Sequence, residues 1–124
     1  MQSNFTKILR WILALCLIVF GLNKFVGFLP VPQLPDEAQD FMRSLSATGY
    51  ILYLVGLIEV AIGLLLLLKK WVPFALLALV PISTNILLFH IFLDLPNILQ
   101  AILVAGINAL LIYKYWKAYR PLFH

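Results

Sequence analysis

Charge is scarce in this chain. Lysine and arginine number 9 and aspartate and glutamate 5, 11% of 124 residues, while 64% are hydrophobic. A soluble domain carries about a quarter charged residues, so a soluble surface is excluded and the chain reads as an integral membrane protein. Cysteine is nearly absent. Cys16 stands alone, which leaves no intrachain disulfide, no CxxC pair and no thiolate cluster; within an apolar run it reads as a small hydrophobe. The histidines form no HxxxH or HExxH pair, so no helix offers metal or haem ligands, and no metal site is expected. A glycine-rich phosphate loop and a nucleophile elbow are missing too. These absences set aside self-contained hydrolase, thiol-redox and haem chemistry. The net charge of +4 sits at segment ends, so it speaks of topology and not of nucleic acid.

What the chain does have is four long apolar runs, at about 8–28, 48–68, 71–93 and 96–119. Each is long enough to cross a bilayer core of roughly 30 Å, which takes about 20 helical residues. The runs are continuous and do not alternate, which argues against a β-barrel. In lipid the remaining solution is the helix, which satisfies its own backbone. The predicted fold is an all-α, four-transmembrane-helix bundle forming a single domain over 1–124. The start resembles a signal peptide, with Lys7 and Arg10 before an apolar run, but residues 21–24 are not a small-residue cleavage site, and the segment is expected to be retained.

Charge orients the spans. Lys7 and Arg10 precede the first, Lys69 and Lys70 join the second and third, and Lys114, Lys117 and Arg120 end the fourth. Asp36, Glu37, Asp40 and Asp94 fall on the other side. The positive-inside rule puts both termini in the cytoplasm of an inner (plasma) membrane, with Trp11, Trp71 and Trp116 in the cytoplasmic aromatic belt. The outer loop, 29–47, opens with Pro30, Pro32 and Pro35, which favour an extended path. Ala38, Phe41, Met42 and Leu45 then recur at helical spacing, predicting a short amphipathic helix on the outer face. In the second span Gly49, Gly56 and Gly63 form a stripe at seven-residue intervals, as expected where helix backbones pack closely. Pro81 predicts a kink in the third span, with Ser83, Thr84 and Asn85 placed to answer freed backbone groups.

The spans also hold polar residues. Glu59 lies in the middle of the second, beside the glycine stripe. A charge at such depth costs on the order of 3 kcal/mol or more, so it has a buried partner or lines a site. Depths follow at about 1.5 Å per residue from the basic ends. Asn108 falls roughly 10 Å in, Glu59 about 15 Å, Asn23, Lys24 and Asn85 about 20 Å, and His90 about 30 Å. This graded ladder suggests a hydrogen-bonded pocket around Glu59, reached by Asn85 and Asn108, with Lys24 above and His90 at the outer mouth. The structural alternatives are interhelical glue for Asn85 and Asn108, a snorkelling Lys24, an interfacial His90 and a purely structural Glu59.

Several short pieces together resemble the DoxX/DoxD-like small membrane proteins. They are Gly21-Leu22-Asn23-Lys24-Phe25 with Phe28-Leu29-Pro30; Ala47-Thr48-Gly49-Tyr50; and Glu59 with Gly63 and a leucine run. Further on come Pro81 to Asn85 leading into Phe89-His90 and Leu93-Asp94, and Lys117-Ala118-Tyr119-Arg120-Pro121. The resemblance covers nearly the whole chain. It implies a four-helix membrane bundle, family-typical residues at Asn23, Lys24, Glu59, Asn85 and His90, and a link to redox partners. The family name derives from a subunit of a membrane thiosulfate:quinone oxidoreductase. No catalytic residue is implied.

Three functions follow as expectations. The first is an accessory or quinone-interacting subunit of a membrane oxidoreductase, with Glu59 and Asn85 holding a quinone head group and His90 or Lys24 relaying protons. The second is a small-molecule or proton-coupled transporter built on an intramembrane carboxylate. The third is a scaffold or assembly factor in which the polar ladder is glue. The partners expected are the lipid bilayer, redox subunits and further copies of the chain.

Overall fold

A computed structural model describes residues 4–26 and 34–123, which are helical with no strand among them. Helix α1 spans Asn4–Val26, α2 Asp36–Ala47, α3 Ile51–Leu67, α4 Val72–Phe92 and α5 Ile98–Lys114. A 3-10 turn, Leu95–Asn97, precedes α5; a short α6, Trp116–Tyr119, and a second 3-10 turn, Arg120–Phe123, follow it. The expected end of the first span at Phe28, and the proline-rich stretch over 29–33, lie outside the described residues.

Three helical segments are long and apolar enough to cross a membrane: Asn4–Val26, Val72–Phe92 and Leu95–Lys114. The fourth, α3, has 17 residues, about 25 Å at 1.5 Å per residue and the short end of what a bilayer accepts. It passes that test only together with α2, from which it is bent by 89°. Helix α2 therefore lies across the bundle, as its amphipathic spacing predicts. Ala38 is buried, and Phe41 meets Phe89 of α4 with ring centroids 5.4 Å apart.

The bend is built by two residues. Thr48 Oγ1 donates to the Leu45 carbonyl at 2.7 Å and accepts from the Ile51 amide at 3.2 Å, closing one helix and opening the next. Gly49 takes φ +81°, a left-handed conformation that side chains oppose. Gly49 thus belongs to the corner and not to the stripe on α3, which keeps Gly56 and Gly63. Helix α3 ends in a Schellman closure: Lys70 N–H reaches the Leu65 carbonyl at 2.9 Å and Lys69 N–H the Leu66 carbonyl at 3.3 Å.

The long helices run in chain order around the bundle: α1 packs on α3, α3 on α4, α4 on α5, and α5 back on α1. The apolar core is Leu13, Leu17, Leu66, Leu76, Leu79 and Leu111 with smaller neighbours. Leu13, Leu66, Leu76, Leu79 and Leu111 lie in the half nearer the basic ends of the helices, and Leu17 lies just past the middle of α1. Leu57, Leu99 and Leu103 are exposed, as lipid-facing side chains are. The fourth predicted span runs too far. The chain leaves regular helix at Tyr115, and the Tyr119 hydroxyl turns back to donate to the Pro73 carbonyl at 2.6 Å.

Candidate functional site

The site begins with two glycines. A Cβ on Gly21 would stand 2.7 Å from the Gly56 carbonyl oxygen, and one on Gly56 would stand 3.0 Å from Lys24 Cβ. Bare backbone at these positions lets α1 and α3 touch, as small residues do between membrane helices. One turn beyond Gly21, this contact carries Lys24 to the level of Glu59. Lys24 Nζ lies 2.7 Å from Glu59 Oε1, with the two side chains 25% and 2% exposed. Oε1 accepts no hydrogen bond among the described residues besides this ammonium contact. The buried carboxylate therefore has a counter-ion, which is what its depth demands.

A cleft of about 240 Å³ opens at the corner between α2 and α3, lined by Lys24, Leu45, Ser46, Gly49, Tyr50 and Tyr53. The ring of Phe25 stacks on that of Tyr53, with centroids 5.5 Å apart. Lys24 thus does two things. It faces an aromatic cleft, and it holds a carboxylate buried behind it.

The other candidates stand elsewhere. Asn108 is buried between α5 and α4, donating to the Leu76 carbonyl at 3.0 Å and accepting from Ser83 Oγ at 2.9 Å. Asn85 is exposed, and its Nδ2 donates to the Pro81 carbonyl of its own helix at 2.8 Å. His90 Nδ1 donates to the Ile86 carbonyl at 2.9 Å, and its Nε2 is 3.8 Å from Asp94 Oδ2. Asn23 is half-buried beside Lys24. The expected pocket uniting Glu59, Asn85, Asn108 and His90 is thereby replaced by four separate arrangements: Glu59 with Lys24, Asn108 with Ser83, His90 with Asp94, and Asn85 on the backbone of its own helix. The reason is rotational. Depth along a helix leaves the direction of a side chain open, and Asn85 sits on the α4 face opposite the buried Leu76, Leu79 and Ser83.

Four buried polar residues, Thr6, Arg10, Ser83 and Asp94, were not among the sequence candidates. Arg10, which the sequence pattern places among the flanking charges, lies inside α1, 2% exposed, and its guanidinium donates to the Leu66 carbonyl. There it answers the negative end of the α3 dipole. Its signal was present, since Arg10 shares the helical stripe of Leu13, Leu17 and Gly21. Asp94 is 1% exposed and accepts from Asn97 Nδ2 at 2.9 and 3.1 Å. Ser83 follows Leu76 and Leu79 at core spacing. At the basic end, burial pushes the Tyr119 phenol up to about 12, with the neighbouring Tyr115 adding to the shift.

Compared with protein families, the chain matches the DoxX model over residues 5–91. No curated protein and no solved structure matches it.

Proposed function

The chain belongs to the DoxX family, and from that premise we propose that it is an accessory, quinone-interacting subunit of a membrane oxidoreductase system. The observation that carries this reading is the double engagement of Lys24, which lines the aromatic cleft and pairs with buried Glu59. A quinone has a lipid-soluble tail, a flat ring and two carbonyls that need donors. Tyr50 and Tyr53 offer faces to the ring, and the Lys24 ammonium donates to a carbonyl. At about 240 Å³ the cleft falls below the roughly 300–1,000 Å³ of pockets that enclose a whole drug-sized ligand. It suits a head group alone, with the tail left in the bilayer. Glu59 is the one carboxyl within α1, α3, α4 and α5, and in this reading it is the residue that carries a proton beside the ring. Asn85, Asn108 and His90 have no part in the cleft. Electron transfer falls to a partner redox subunit. The basic end faces the cytoplasm of the inner membrane, which puts the cleft in the outer half.

The test is binding of a short-tailed benzoquinone to purified protein in lipid nanodiscs, read by quenching of intrinsic fluorescence. Lys24→Met should weaken binding about tenfold, the worth of one charge-assisted hydrogen bond of roughly 1.5 kcal/mol. Glu59→Gln should shift the pH dependence of binding. Gly106→Ala, whose added Cβ meets nothing within 4 Å, should leave both unchanged. Equal, pH-independent binding by the parent and both site variants would refute the assignment. Native mass spectrometry of protein extracted from its own membrane should also show a bound quinone or a stoichiometric redox subunit.

A further inference from the structure

The outward face of α4 carries a polar group that one copy of the chain does not answer. Leu77, Pro81, Thr84, Asn85 and Leu88 are all exposed and share that face. Asn85 lies about 10 Å from the acidic end of α4, inside a hydrocarbon core of roughly 30 Å. One N–H of its carboxamide reaches the Pro81 carbonyl. Its Oδ1 accepts no hydrogen bond among the described residues. Lipid tails offer nothing to that oxygen or to the second N–H, and leaving an amide unanswered in such a medium is costly.

A carboxamide is its own complement, since it donates through nitrogen and accepts through oxygen. Two copies related by a two-fold axis bring the same residue face to face. Asparagine at the axis then exchanges a pair of N–H···O bonds, where a lysine or a carboxylate would repel itself. The surroundings fit such a contact. Pro81 and Thr84 are short, so the helices can approach beside Asn85, and the exposed Leu77 and Leu88 flank the contact along the helix. A lipid-facing residue needs none of this, and an asparagine buried for stability would point inward as Asn108 does. We propose that the chain forms a homodimer in which α4 packs against α4 of a second copy, with Asn85 paired across the two-fold axis. This interface lies on a different helix from the Lys24 cleft and stands or falls apart from it.

The experiment uses full-length protein in lipid vesicles, with donor- and acceptor-labelled copies mixed over a range of protein-to-lipid ratios. The parent should show energy transfer that falls on dilution with lipid. Asn85→Leu should need about tenfold more protein per lipid for the same transfer, as expected for interhelical bonds that reach 1–2 kcal/mol in membranes. In a Cys16→Ser background, Asn85→Cys should crosslink to a dimer on oxidation, and Leu99→Cys, exposed on α5, should not. A parent monomeric at every ratio overturns the proposal, as does undiminished transfer in Asn85→Leu. Crosslinking of Asn85→Cys in native membranes mainly to a different protein overturns the second copy as occupant.

Discussion

Two opposing terms meet at Glu59. Placing a carboxylate at this depth costs on the order of 3 kcal/mol or more, and the Lys24 ammonium at 2.7 Å offsets it. Burying a pair this way adds little net stability, but removing one partner leaves a bare charge in a dry place, which costs about 3–5 kcal/mol. Lys24→Met should therefore destabilise the protein by about 3 kcal/mol in micellar unfolding. Adding Glu59→Gln to Lys24→Met should recover most of that loss, because the uncompensated charge is gone. If the double variant is as weak as the single, the lysine stabilises through packing of its stem and not through its charge. The same logic explains why Arg10 is tolerated with no carboxylate partner among the described residues: the Leu66 carbonyl and the end of α3 supply negative potential.

The helices were legible in the sequence to different depths. Continuous apolar runs set the four long elements, and the amphipathic spacing from Ala38 to Leu45 marked α2. Rotation about each axis was not legible, because leucine lines both the buried core, as at Leu76 and Leu79, and the lipid face, as at Leu57 and Leu99, so hydrophobic periodicity does not tell one from the other. Asn85 and Asn108 look alike in sequence, yet one faces out and the other in. Glycine was the better guide. Gly56 and Gly63 did mark the α1 contact, whereas Gly49 shared their spacing for an unrelated reason, a corner at φ +81°. Gly56→Ala should force α1 and α3 apart, since its Cβ would stand 2.9 Å from the Gly21 carbonyl oxygen. Overpacking of this kind costs about 1–3 kcal/mol, and it should also lengthen the Lys24–Glu59 contact. Gly106→Ala is the control, with open space around it; in a helix interior it should gain up to about 1 kcal/mol. Equal stability of the two alanine variants in the same detergent would show that α1 and α3 do not rely on bare backbone.

Across the whole molecule the two ends are held by different means. The half nearer the basic ends has the apolar core, and the acidic end relies on the Lys24–Glu59 pair, the Asp94–Asn97 bonds and the transverse α2. At the basic end the C-terminal segment is fastened by one hydroxyl, that of Tyr119, buried against the Pro73 carbonyl. Only the neutral phenol can donate this bond. Burial, with Tyr115 nearby, pushes its ionisation up to about 12, against about 10 for a phenol in the unfolded chain. Below about pH 10 both states keep the proton and the bond contributes in full. Above that, the unfolded chain sheds its proton first, so the native state binds more protons and stability falls as pH rises. The loss is complete once the folded group ionises near 12. Tyr119→Phe should thus be weaker than the parent by about 1 kcal/mol at pH 8, the worth of one hydrogen bond. It should lose less stability than the parent between about pH 8 and 11, because the variant has no proton to shed at that position. Parallel losses in the two would mean that the Tyr119 hydroxyl is not held by Pro73, and that the C-terminal segment is fastened by the packing of its rings alone.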